Sequence, residues 1–170
     1  MPIFVLYAKA ELDGVKSLSY PFPTCAWRFD VQQAAGPEVR EGVVVDPEEE
    51  QELEDTRNGT AHFCIKFPGD KKQSSLKFLD PSDKELEKKK VKIRPQTADD
   101  SDMVPILAMD CRGLEPIKWH PTGPYEATAE SDVTFDQVKL DEGDDWCEYD
   151  EKSETSMTVG KDVKYEFRRV

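Results

Sequence analysis

Apolar and polar residues alternate with a period of two along several stretches of this chain. Ile3–Leu12 starts apolar and then alternates. In Cys25–Val31, Trp27 and Phe29 are separated by the charged Arg28 and Asp30. Thr60–Phe67 places Ala61, Phe63, Ile65 and Phe67 on one face, and Val104–Gly113, Ser131–Leu140 and Asp162–Val170 follow the same rule. Such segments, bounded by Gly, Pro, Asp and Asn, predict antiparallel strands with one buried face. The predicted core includes Trp27, Phe29, Phe63, Ile65, Leu107 and Phe135.

Helical periodicity is scarce. Residues 80–95 have a cap-like Asp80-Pro81-Ser82 start, but Leu86, Val91 and Ile93 make no long stripe. This predicts a charged turn or at most a short helix, then a strand over Val91–Arg94. Asp46–Gly59 reads as a charged connection. Pro95–Met103 reads as a polar linker, and it falls between two segments that can be laid on one another. Leu6–Pro21 and Leu107–Pro121 both run from an apolar strand through a charge and a Gly corner to an aromatic residue before Pro. The expected architecture is one all-β domain over residues 1–170. It is a β-sandwich or partly closed barrel of two similar antiparallel halves, about 1–95 and 103–170.

Charge narrows the partners. The formal net charge is −13, which repels nucleic-acid phosphates and anionic membranes and favours a basic protein partner. The N-terminal stretch has no basic region ahead of a short apolar run, and nothing approaches the ~20 apolar residues of a membrane span. A cytoplasmic protein with reduced thiols is therefore expected.

The four cysteines, Cys25, Cys64, Cys111 and Cys147, form no Cys-x-x-Cys pair. Cys111 and His120 are the candidate nucleophile and base of a thiol enzyme, yet no nucleophile signature surrounds them. Arg112-Gly113 reads instead as a tight corner, with Glu115 held extended by Pro116. The segment Asp141–Glu154 embeds Trp146 and Tyr149 among eight acidic residues. It reads either as a solvated loop pinned by its aromatics or as a recognition patch for a basic partner, with Asp144, Asp145, Trp146, Glu148 and Tyr149 as the binding residues. It lacks the regular Asp spacing of a calcium loop. No phosphate-binding loop or Gly-x-Ser-x-Gly motif occurs.

The stretches "CRGLEPIKWHP" from Cys111, "FDQVKLDEGDDWCEYDEK" from Phe135 and "VGKDVKYEFRRV" at the C-terminus resemble the eukaryotic CXXC motif containing zinc binding protein family. "WRFDV" and "NGTAHFCIKF" fit it more loosely. The resemblance implies a β-sandwich of two related halves without catalytic activity. It also implies two Cys-x-x-Cys pairs holding one zinc, which would fall near Gln33 and Gly36 and at Cys64 and Phe67. Only Cys64 is a cysteine, so the resemblance implies a diverged member with no metal cofactor, and it makes "CRGLEP" a fold-defining corner.

The function expected from these readings is that of a non-enzymatic, acidic, cytoplasmic protein-binding module, monomeric outside its complex. It would serve as an assembly or chaperone cofactor for a basic client, with translation elongation factor one alpha as the candidate client. The alternatives are a metal protein with a remodelled site at Cys64 and His62, and a thiol-dependent enzyme using Cys111 and His120.

Overall fold

The computed structural model describes residues 2–54, 57–140 and 144–170. Antiparallel sheets account for nearly all of its regular structure, and none closes into a barrel. The largest sheet has the order β17 (Lys164–Arg169), β1 (Ile3–Lys9), β11 (Val104–Arg112), β9 (Ser74–Leu79) and β8 (Phe63–Ile65). A second is ordered β10 (Gln96–Thr97), β3 (Val15–Ser19), β13 (Tyr125–Ala129) and β14 (Thr134–Val138). Two three-stranded sheets follow: β12 (Leu114–Trp119), β4 (Trp27–Gln33) and β5 (Val39–Val45), then β15 (Trp146–Asp150), β16 (Thr155–Val159) and β2 (Leu12–Asp13). A short ribbon pairs β6 (Gln51–Glu52) with β7 (Thr60–Ala61). Strands from before and after the 95–103 segment thus interleave in every sheet but the ribbon.

The apolar opening of the chain has a direct cause. Side chains alternate across a strand, and both faces of β1 are covered. Phe4, Leu6 and Ala8 enter the main core, whereas Ile3 and Val5 pack with Leu79, Leu86 and Ala108 in a smaller cluster behind the sheet. Leu86 comes from the one helix among the described residues, α1 (Lys84–Lys88), whose first turn is capped by the Asp83 carboxylate on the Glu85 N–H.

The main core is aromatic. Trp27 and Phe29 are fully buried and stack on β4, 6.4 Å apart at 8°. Trp119 meets Tyr20 edge-on at 6.2 Å, and Tyr165 and Phe167 of β17 close over Trp119 and Phe29. Leu6 and Leu107 are partners across the β1–β11 ladder, and Gly14 and Gly113 both turn the chain at positive φ, 68° and 77°.

Several expectations are corrected. Phe63, Ile65 and Phe135 are only partly buried, because β8 and β14 are edge strands with one neighbour each. Val91–Arg94 is not a strand: Val91 and Ile93 pad the cluster beneath β1 without pairing to a neighbour. The 95–103 segment is not a free linker, since Gln96 is buried in β10 and its amide bonds both the N–H and the C=O of Ala10. Asp30, read as an outward residue of β4, is nevertheless buried: β5 and β12 bulge on either side of it, and the Gly42 N–H and the His120 ring close over its carboxylate.

Candidate functional site

The acidic segment is a strand over much of its length. Trp146–Asp150 forms β15, paired only to β16 among the described residues, so its outer edge is open. Asp141, Glu142 and Gly143 lie outside the described residues. Asp144 is exposed. Asp145 is exposed too, but its carboxylate accepts the Lys161 N–H at 2.8 Å and so ties the segment to the turn before β17. Trp146 is half-buried and meets Phe135 edge-on at 5.9 Å. Its ring anchors the strand and presents little surface to a partner. Glu148 and Tyr149 remain as the outward pair: Tyr149 is 50% exposed, and Glu148 accepts the Tyr149 N–H. Asp150 is buried and belongs to the turn, where it accepts bonds from Ser131, Ser153 and the Lys152 N–H. Those bonds, led by Ser153, hold its carboxyl below the usual range. Of the five predicted binding residues, the structure therefore leaves Asp144, Glu148 and Tyr149 free and gives Asp145 and Trp146 structural work.

A second feature lies where β4 and β8 end. The turn after β4 runs from Gln33 to Gly36, with the Gly36 N–H near the Gln33 carbonyl at 3.4 Å. The turn after β8 runs from Phe67 to Asp70, with the Asp70 N–H on the Phe67 carbonyl at 3.0 Å. The two turns, of equal span, face each other, and Gln33 Nε2 donates to Asp70 Oδ1 at 2.6 Å. The Ala34 N–H bonds the Gly113 carbonyl at 3.0 Å, which fixes the first turn against the Arg112-Gly113 corner. Lys71, Lys72 and Arg112 line the cleft beside them.

The remaining candidates are spent elsewhere. Cys111 is fully buried in β11, and burial pushes its thiol well above the ordinary value, the wrong direction for a nucleophile. His120 holds Asp30, with Nε2 and Oδ1 2.8 Å apart, rather than a thiol. His62 is buried and accepts the Phe78 N–H on Nδ1 at 2.9 Å, so that nitrogen is unavailable to a metal. Cys64 is half-buried, and desolvation raises its thiol. Among the described residues no three His, Cys, Asp or Glu side chains gather as a metal site.

These observations define an all-β module of interleaved halves with two facing turns of Cys-x-x-Cys span. The chain belongs to the eukaryotic CXXC motif containing zinc binding protein family, whose profile matches residues 5–168. It is 33% identical over 123 residues to the UPF0587 protein CG4646 of Drosophila melanogaster, a match covering 71% of this chain and 66% of that one. It is 36% identical over 69 residues to the human CXXC motif containing zinc binding protein, covering 39% and 42%. These matches thus span less than two thirds of either relative's length. A solved structure of a hypothetical protein from Plasmodium falciparum shares the fold, with a TM-score of 0.82 at 22% identity and 99% and 100% coverage.

The family name implies zinc, and the residues here do not fit it. A second pair of ligands has to sit on the turn that faces the first. That turn is Phe67–Asp70, which moves the second pair from Cys64 and Phe67 to Phe67 and Asp70. Cys64 instead lies within β8, opposite Ser75. The four positions are then Gln33, Gly36, Phe67 and Asp70. An amide, a hydrogen, a buried phenyl ring and one carboxylate cannot supply the four thiolate, imidazole or carboxylate ligands of structural zinc. Asp70 was not legible as a site residue, because nothing in local periodicity marks a turn carboxylate as the partner of a distant amide.

Proposed function

We propose that this protein is a non-enzymatic, cytoplasmic protein-binding module that serves as an assembly or chaperone cofactor for a basic client. The observation that carries this reading is β15: an open strand edge with exposed Tyr149 beside Glu148 and Asp144, on a chain of net charge −13. An extended basic segment can add to such an edge through main-chain hydrogen bonds. The acidic side chains then select for positive charge, and the tyrosine ring supplies apolar contact. The four free thiols suit a reducing compartment. Among the described residues no helix is long and apolar enough to cross a membrane.

Translation elongation factor one alpha is the first client to test. Charge acts mainly on association and is screened by salt. The variant Asp144→Asn, Asp145→Asn, Glu148→Gln keeps an acceptor for the Lys161 N–H. It should capture the purified client less well than the wild type at low salt, with the difference narrowing at high salt. Equal capture by the two proteins at low salt would reject β15 as the binding element.

A further inference from the structure

We infer that the Gln33–Asp70 hydrogen bond is the cross-link that closes the two turns in this chain, in the place where a zinc-holding member of the fold would put its metal.

Three features of the turns converge on it. Gln33 is a polar side chain with only 9% of its surface exposed, and its amide is committed to a carboxylate at 2.6 Å. A bond from a neutral amide to an ionised oxygen is among the stronger side-chain hydrogen bonds, and burial of the donor makes its loss costly. Gly36 makes room for it. A Cβ at residue 36 would lie 2.2 Å from Gln33 Oε1, so any larger residue there would push the glutamine out of its position. Phe67 has left the ligand role altogether, being 3% exposed and part of the main core. The turn of Phe67–Asp70 is thus held from inside by an apolar plug and from across the gap by the amide. None of Cys25, Cys64, Cys111 and Cys147 lies at any of the four positions, so closure asks nothing of a thiol.

Two measurements on the full chain test this. In the first, the wild-type protein is assayed for bound metal and melted with and without a strong chelator. The expected result is less than one zinc per ten chains and an unchanged Tm, whereas one zinc per chain, or a Tm that falls with chelator, overturns the inference. The second is a double-mutant cycle of Gln33→Ala and Asp70→Ala, with Asp70→Asn as the conservative variant. Each alanine should lower Tm by roughly 3–8 °C, and the double variant should fall little further, because one interaction is removed in all three. Asp70→Asn keeps an acceptor and should lie between wild type and Asp70→Ala. Additive losses, or an asparagine as damaging as alanine, would show that the two side chains do not act on each other.

Discussion

Asp30 and His120 meet across the β4–β12 ladder, with 2.8 Å between Oδ1 and Nε2, and the same oxygen accepts the Gly42 N–H from β5 at 2.8 Å. One carboxylate therefore ties the three strands of that sheet together where β5 and β12 bulge on either side of β4. The His120 bond, followed by the Gly42 N–H, holds its carboxyl below the ordinary 3.8.

Acid sensitivity follows from carboxylates of this kind. Asp100, gripped by Arg94 through bonds of 2.7 and 2.8 Å, lies far below its ordinary value for the same reason. A carboxyl with a folded pKa below its unfolded one contributes stability above the unfolded value, and that contribution is lost as the pH falls below it. Asp100→Asn should therefore lower Tm by a few degrees near pH 7, and the gap from wild type should shrink steadily below about pH 4. Parallel melting curves of the two proteins across that range check it. A constant gap would mean that the ion pair contributes nothing to folding.

The aromatic core sets the cost of truncation. Trp27→Ala should cost about 3–5 kcal/mol in urea unfolding, because the ring is fully enclosed and stacked on Phe29. Val44→Ala, on the neighbouring strand but 66% exposed, should stay within about 0.5 kcal/mol. Comparable losses for the two would contradict the facing of β4 and β5.

Two glycines separate strain from collision. Gly69 adopts φ +88° with nothing within 4 Å of a Cβ, so Gly69→Ala should cost only the left-handed strain, about 1–2 kcal/mol. Gly113 has φ +77° and would also set its Cβ 2.5 Å from Ser74 Oγ, so Gly113→Ala should be the more damaging. Chemical denaturation of both variants decides the order.

Thiol labelling of the native protein should proceed readily at Cys147, which is exposed, and only after unfolding at Cys25 and Cys111. Burial pushes the Cys25 thiol up to about 12 and that of Cys111 well above its ordinary value. Mass spectrometry of the labelled peptides reads this directly. Rapid native modification of Cys111 would reopen a thiol role that its burial now opposes.

The β class was legible because Trp27, Phe29 and Val31 recur at a spacing of two, whereas β1 and β11, buried on both faces, show themselves only as short apolar runs. The Gly14 and Gly113 corners were legible as glycines between apolar stretches, and both take positive φ. What escaped the sequence had physical reasons. In β15 acidic residues mask the strand, since an edge strand with a solvated face has little apolar alternation to show. Val91 and Ile93 are apolar because they cover the back of β1, a need that reads like a strand when only spacing is seen. Asp30 is covered by Gly42 and His120 from the strands on either side, which the periodicity of β4 cannot announce. The Gln33–Asp70 bond joins turns that follow strands of two different sheets, a pairing no local pattern can show.

The position of β1 in the large sheet bears on how the chain is made. Its two neighbours are β11 and β17, so β1 has both of its edges completed only by strands that lie beyond the 95–103 segment. Until they pair, the apolar run Ile3–Leu6 has no lasting partner on either side, and unpaired apolar strands are the species that aggregate during synthesis. Closing the large sheet therefore rests on contacts of long sequence separation, which form slowly and leave β1 exposed while they do.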